Sequence, residues 1–210
     1  KIQKKRKLKI LTIGLKSNKF KILNHEIYKN FQFLEIKYNN KIYSLKVNLF
    51  GSIQIKNLLM AILAANVCGL KIESIFNNIH KIRSVNGRLQ LIRTLPNKSK
   101  IFVDYAHTPD ALKNAILSLR EHFQKKITVV FGCGGERDQS KRSLMGKVAK
   151  KYCDKIFITD DNPRNENPKK IRKDIMKMLK NSMVQEIGNR KKAIYYALKN
   201  SDPHEVILIA

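Results

Sequence analysis

Three short clusters of residues stand out for their chemistry: "VDYAH" (103–107), "GCGGERD" (132–138) and "TDDNPR" (159–164). The last sets two carboxylates, an amide, a proline and an arginine directly behind an apolar run. Such a cluster is equipped to hold a small charged molecule, because a guanidinium donates to an anion while carboxylate and amide oxygens accept from a cation. The middle cluster offers Gly132, Gly134, Gly135 and Arg137, and the first offers Asp104 and His107. Read singly, each has a plainer account. The glycines serve a tight strand-to-helix turn, and His107 caps or packs. Asp160, Asp161 and Arg164 form a surface ion network, or Asp161 and Asn162 shape an Asx-type turn ahead of Pro163.

The elements around these clusters say where they lie. From Lys100 onward, "KIFVDYAH", "ITVVFG", "KIFITD" and "EVILIA" read as strands, alternating with the helices "DALKNAILSLREHF", "KRSLMGKVAKKYC", "PKKIRKDIMKMLKN" and "RKKAIYYALKN". Thr108, Pro109 and Asp110 give the first helix a capping hydroxyl, a proline at its first turn and a carboxylate on the positive end of its dipole. Short apolar strands alternating with amphipathic helices predict a doubly wound α/β domain whose parallel sheet is covered on both faces. Ligands of such sheets bind outside the carboxyl ends of the strands. All three clusters fall on that rim.

Before Lys100, "LKILTIGL" reads as a strand, and "FQFLEIKY" and "KIYSLKVNL" as a hairpin turning at Asn39 and Asn40. The helix "IKNLLMAILAANVCGL" stops at Gly69, "IESIFNNIHKI" forms a second helix, and "SVNGRLQ" is a loop. A domain boundary is expected near Gly87, with 1–87 as one domain and 88–210 as the other.

Composition narrows the function. A net charge of +27 suggests a polyanion partner, but the basic residues spread through nearly every element alongside abundant Asn and Ile, the pattern of an AT-biased genome. No aromatic-interleaved basic patch supports nucleic-acid binding. Cys68, Cys133 and Cys153 lie far apart and form no CxxC pair, which indicates neither a metal knuckle nor a disulfide framework and fits a reducing, cytoplasmic setting. The apolar run Leu58 to Leu70 is too short for a bilayer and carries Asn66, so no membrane partner is expected.

Taken together and in order, "VDYAHTPDAL", "VFGCGGERDQSKRSLMG" and "TDDNPRNENP", with the earlier "NLLMAI" helix and "GRLQ" loop, resemble the Mur ligases. These are ATP-dependent amino-acid ligases of peptidoglycan precursor synthesis, and the likeness is to the members that add meso-diaminopimelate. It runs from about Gly51 onward; residues 1–50 match only loosely. The resemblance implies a C-terminal Rossmann-like amino-acid-binding domain preceded by the end of a central α/β ATPase domain. It implies that Asp161, Asn162, Pro163 and Arg164 recognise meso-diaminopimelate, that Arg137 holds the same substrate, and that Arg164 argues against lysine, because lysine-selective members replace that arginine.

On the nucleotide side the resemblance assigns Arg88, Asp104 and His107 to positions around ATP and Gln54 and Asn57 to the adenine. Gln54 replaces the family's asparagine, Gln90 stands where "GRME" has its acid, and "KRS" replaces "GKRP". The implied reaction is addition of meso-diaminopimelate to a UDP-N-acetylmuramoyl dipeptide through an acyl phosphate, with ATP and magnesium, by a cytoplasmic monomer. No GxxxxGK[ST] phosphate loop occurs in the 210 residues, and neither the magnesium ligands nor the family's late GKGHE motif is present. The chain starts without Met and stops on an apolar run, as a piece cut at both ends would. By itself it is expected neither to hydrolyse ATP nor to ligate. The competing readings are a decayed, non-catalytic remnant, a lysine-adding ligase, and a basic nucleic-acid-binding protein.

Overall fold

A computed structural model describes residues 10–17, 19–179 and 183–210, which fall into two compact units that divide between Ser84 and Val85. In the first unit four strands, β1 (Ile13–Gly14), β2 (Phe20–Ile27), β3 (Gln32–Tyr38) and β4 (Lys41–Val47), form one sheet in chain order. The β3–β4 hairpin turns where expected. Asn39 and Asn40 both take positive φ, at 46° and 63°, the pairing that matches the twist of a two-residue hairpin. Leu34 and Ile36 alternate inward on β3 and pack with Phe20, Leu45 and Val47 against Ile55, Leu58, Leu59 and Ile62 of α1 (Ser52–Val67). A buried glutamine locks the turn into that helix: Gln32 Nε2 donates to the Leu49 and Gly51 carbonyls at 2.7 and 3.2 Å, and its Oε1 meets His25 Nε2 at 2.8 Å. The second expected helix is shorter than "IESIFNNIHKI", with α2 (Ile72–Asn77) passing into a 3₁₀ turn at Ile79–Lys81.

Strand β2 was not expected. Asn24, His25 and Glu26 break its apolar alternation, and its register with β3 slips between Ile22 and Asn24. The first expected strand, "LKILTIGL", lies partly outside the described residues, and its described residues are strand at Ile13–Gly14.

The second unit is a six-stranded sheet in the order β5-β6-β10-β7-β8-β9: β5 (Gln90–Thr94), β6 (Lys100–Val103), β7 (Ile127–Phe131), β8 (Lys155–Ile158), β9 (Val184–Glu186) and β10 (Val206–Ile209). Helices α3 (Pro109–Phe123), α4 (Ser140–Tyr152), α5 (Pro168–Met176) and α6 (Arg190–Lys199) fill the crossovers. Ala193 and Ala197 of α6 pack with Ile101, Val130, Phe157 and Ile207 on one face of the sheet. The small alanines let α6 sit close. Thr108 caps α3 through Ala111 N–H at 3.2 Å, Asn167 caps α5 and Asn189 caps α6.

Two expectations are corrected here. The sheet is mixed, because β5 runs antiparallel to β6 at its edge, and Gln90, read as loop, opens that strand. A register shift between Leu91 and Arg93, with Ile92 left exposed, hides the alternation. Strand β9 is only three residues and carries Gln185 and Glu186, too polar to read as a buried strand. Strand β10 inserts between β6 and β7, pairing Ile207 with Ile101 on one side and Thr128 on the other. Every parallel strand therefore ends on the same rim as its clusters.

Helices α4 and α5 approach so closely that a Cβ at Gly146 would overlap the Ile175 carbonyl oxygen. Gly146 has no positive φ, so substitution costs through crowding alone. Gly146→Ala is expected to lower unfolding free energy by about 1 to 3 kcal/mol, read by chemical denaturation. Lys147→Ala on the same helix's exposed side should leave it unchanged.

Candidate functional site

At the carboxyl ends of β6, β7, β8 and β10 opens a cleft of about 730 Å³. Asp104, His107, Arg137, Asp161, Asn162 and Arg164 all line it, joined by Tyr105, Cys133, Lys141 and Arg190. Its charge is mainly positive. The crossover geometry produces this gathering: each loop leaves a buried strand end and must turn into a helix above the rim.

The loops after β7 and β8 interlock. Gly135 N–H donates to the Asn162 carbonyl at 2.8 Å and Arg164 Nη1 to the Gly135 carbonyl at 2.7 Å. A Cβ at Gly135 would overlap the Pro163 carbonyl oxygen, and one at Gly132 the Thr159 carbonyl oxygen. Neither glycine takes positive φ. The glycines are thus required by the approach of a second backbone, rather than by the sharp turn that their spacing suggests.

Arg164 itself is left-handed, φ 50°, a conformation that costs a non-glycine residue free energy. Asn162 holds it there, its Oδ1 accepting Arg164 N–H at 3.3 Å in an Asx turn. The plain reading of Asn162 as a turn former and the binding reading are therefore compatible. Among the described residues, Arg164 Nε and Nη2 have no protein partner, which leaves the side-on fork of the guanidinium for a ligand carboxylate. Pro163 lies beneath, lining a small neighbouring pocket with Asp161 rather than the cleft. Arg137 and Asp161 are exposed in the cleft.

Asp160 belongs elsewhere. Its carboxylate pairs with Arg172 Nη1, whose Nε donates to Glu186 at 2.6 Å, so the first carboxylate of the "DDNPR" cluster is part of an ion network and the second faces the cleft.

On the opposite wall, Asp104 Oδ2 accepts Leu89 N–H at 2.8 Å, and Tyr105 N–H donates to the Gly87 carbonyl at 2.7 Å. These bonds fix the "GRLQ" loop, and the Arg88 guanidinium lies 5.4 Å from the Tyr105 ring centroid. Burial raises the Asp104 carboxyl above its ordinary value, partly offset by the Leu89 N–H and by Arg88. His107 Nδ1 lies 3.1 Å from the Tyr105 carbonyl, which only accepts, so Nδ1 is the donor of this hydrogen bond. Gln54 and Asn57 lie in the first unit, at i and i+3 on α1, where they share one helix face.

Sequence reasoning passed over Lys141 and Arg190. Lys141 Nζ donates to the His107 carbonyl at 2.9 Å, and Arg190 Nη2 to the Ala210 carbonyl at 2.9 Å. Each begins the helix that follows a rim loop. First-turn residues of crossover helices sit over the strand ends, and that rule applied to "SKRS" and "NRKK" would have found both.

The match to known proteins decides the family. Residues 87–210 fit the model of the Mur ligase glutamate ligase domain. The chain belongs to the Mur ligase family. It is similar to the UDP-N-acetylmuramoyl-L-alanyl-D-glutamate–2,6-diaminopimelate ligases of Rickettsia montanensis, 39% identical over 97% of this chain and 42% of that protein, and Zymomonas mobilis, 36% identical over 98% and 42%. The likeness therefore extends well before Gly51, further than the motifs carried it. A solved ligase of the same name shares 30% identity over 96% of this chain and 42% of its own, with a TM-score of 0.66. This chain spans about two fifths of the length of these relatives. Among the described residues no helix is long and apolar enough to cross a membrane.

Below the loops, the fully buried Arg142 guanidinium bridges Glu166 at 2.8 Å and Asp174 at 3.2 Å. Arg142 holds the Glu166 carboxyl below its ordinary value of 4.5, helped by Glu136 N–H. Lys177 and then Arg142 hold Asp174 below 3.8. Depressed carboxyls stabilise the fold fully above their unfolded values, and that stability is lost as pH falls through the lower folded values. Acid titration of unfolding free energy from pH 6 to pH 2 is expected to show this loss. Replacing the triad's charges together, Arg142→Met with Glu166→Gln and Asp174→Asn, should flatten the curve.

Proposed function

We propose that this chain forms the acceptor-binding part of an ATP-dependent ligase that joins meso-diaminopimelate to UDP-N-acetylmuramoyl-L-alanyl-D-glutamate in peptidoglycan precursor synthesis. The observation that carries it is the cleft itself, which Arg137 of one loop lines together with Asp161, Asn162 and Arg164 of the next. meso-Diaminopimelate has two amino-acid ends. One arginine takes a carboxylate while Asp161 and the second lone pair of Asn162 Oδ1 accept from an ammonium; the other arginine is free for the far carboxylate. Lysine, with no second carboxylate, would leave one guanidinium without an anion.

In this reading the dipeptide's terminal carboxylate is first phosphorylated by ATP. The acceptor amine then attacks the acyl carbon, a tetrahedral intermediate forms, and phosphate leaves as the amide bond is made. The work of this chain is positional. It holds the acceptor by its charged ends so that the amine is presented in one orientation, replacing an encounter in solution by a directed approach. Arg88, Asp104 and His107 fit the nucleotide side: the guanidinium suits phosphate charge, and the Asp104 carboxylate suits a ribose hydroxyl. Gln54 and Asn57 present amides suited to an adenine edge.

Magnesium, which supplies charge neutralisation in phosphoryl transfer, is another matter. Among the described residues no group of three or more His, Cys, Asp or Glu is placed to hold a metal ion. The ligase is read as a cytoplasmic monomer that does not bind nucleic acid.

Calorimetric titration with meso-diaminopimelate tests the assignment. Saturable binding is expected, weakened by about 1.5 to 3 kcal/mol in Arg164→Ala through loss of a charge-assisted contact. Equal affinity in the two proteins would remove Arg164 from the site.

A further inference from the structure

We infer that Glu166 is a positioning residue for the two arginine loops, fixing the backbone that aims Arg137 as well as neutralising Arg142. The inference rests on the reading of Arg137 and Arg164 as acceptor-binding groups. Glu166 stands near the end of the loop after β8, its own N–H donating to the Pro163 carbonyl at 3.0 Å. Its Oε1 accepts twice, from Glu136 N–H in the loop after β7 and from Arg142 Nη2 on α4 at 2.8 Å. One carboxylate oxygen thus joins both loops to a guanidinium that is 0% exposed.

The backbone shows why that matters. Glu136 is left-handed, φ 51°, and it immediately precedes Arg137. A non-glycine residue stays in that region only when its surroundings hold it. The hold here is the bond from Glu136 N–H to Glu166, reinforced by Asn165 Nδ2 donating to Glu136 Oε1 at 2.7 Å. Without Glu166, Glu136 is free to return to negative φ, and Arg137 swings with it.

A purely electrostatic role makes a different forecast. Asp174 also meets Arg142, at 3.2 Å, so neutralising the guanidinium does not by itself require an oxygen beside Glu136. Two double variants separate the roles. Arg142→Met with Glu166→Gln removes both charges and keeps a side-chain oxygen for Glu136 N–H. Arg142→Met with Glu166→Leu removes the charges and the oxygen. Asp174 keeps Lys177 at 2.7 Å, and removing both charges of a buried pair together is commonly tolerated, so both are expected to fold.

Hydrogen exchange resolved at the Glu136 amide is the readout. At equal thermal midpoints, the Leu variant is expected to exchange at least tenfold faster than the Gln variant at Glu136, with Val129 and Leu208 in the central strands unchanged. Equal exchange at Glu136 in the two, or a rise spread evenly over the sheet, would overturn the inference. If the Leu variant does not fold, the same comparison is made between Glu166→Gln and Glu166→Ala. In parallel, the dissociation constant for meso-diaminopimelate is expected to be about tenfold higher in the Leu variant than in the Gln variant. Failure of the unsubstituted chain to bind meso-diaminopimelate would count against the proposed function, and the exchange comparison would still decide the role of Glu166.

Discussion

The Pro163 carbonyl oxygen rests where any side chain at Gly135 would stand. This single close approach sets the loops after β7 and β8 into one body. With it go the Gly135 to Asn162 bond and the reach of Arg164 to the Gly135 carbonyl. The parallel sheet makes the approach possible, because β7 and β8 are neighbours and deliver both loops at the same height. Insertion of β10 between β6 and β7 then opens the space beside them, with Asp104 and His107 across the gap.

Beneath the loops the fold takes an electrostatic risk. A buried guanidinium is costly unless its charge is met, and Arg142 is met by one carboxylate from the loop side and one from α5. The same packing that brings α4 and α5 together at Gly146 brings Asp174 within reach of Arg142. Core contact and site geometry are in this way coupled through one side chain. Under the proposed function such rigidity favours acceptor binding, since guanidinium groups that are already aimed bind an anion at less cost in ordering.

Much of this was legible in the residues. The crossover helices announced themselves through Thr108 and Pro109, and the β3–β4 turn through Asn39 and Asn40, because caps and tight turns are local chemistry. The three rim clusters were legible as well, since a doubly wound sheet has one place for them. Strands β2, β5 and β9 were not: polar residues and register shifts at Asn24 and Arg93 hide the alternation, and their pairing is settled by partners distant in sequence. The reason for Gly132 and Gly135 was hidden too. A glycine needed for another backbone reads the same as one needed for a turn. Asp160 and Asp161 look alike in sequence, and only Arg172 tells them apart.

The central claim is that the cleft reads both ends of a doubly zwitterionic amino acid through two arginines. Nitrogen-15 spectra of the arginine Nε–H groups, recorded while this chain is titrated with meso-diaminopimelate and separately with L-lysine, test it most directly. The account predicts that meso-diaminopimelate shifts the signals of both Arg137 and Arg164, whereas L-lysine shifts at most one. Identical responses to the two amino acids, or no response at either arginine on saturation, would contradict it.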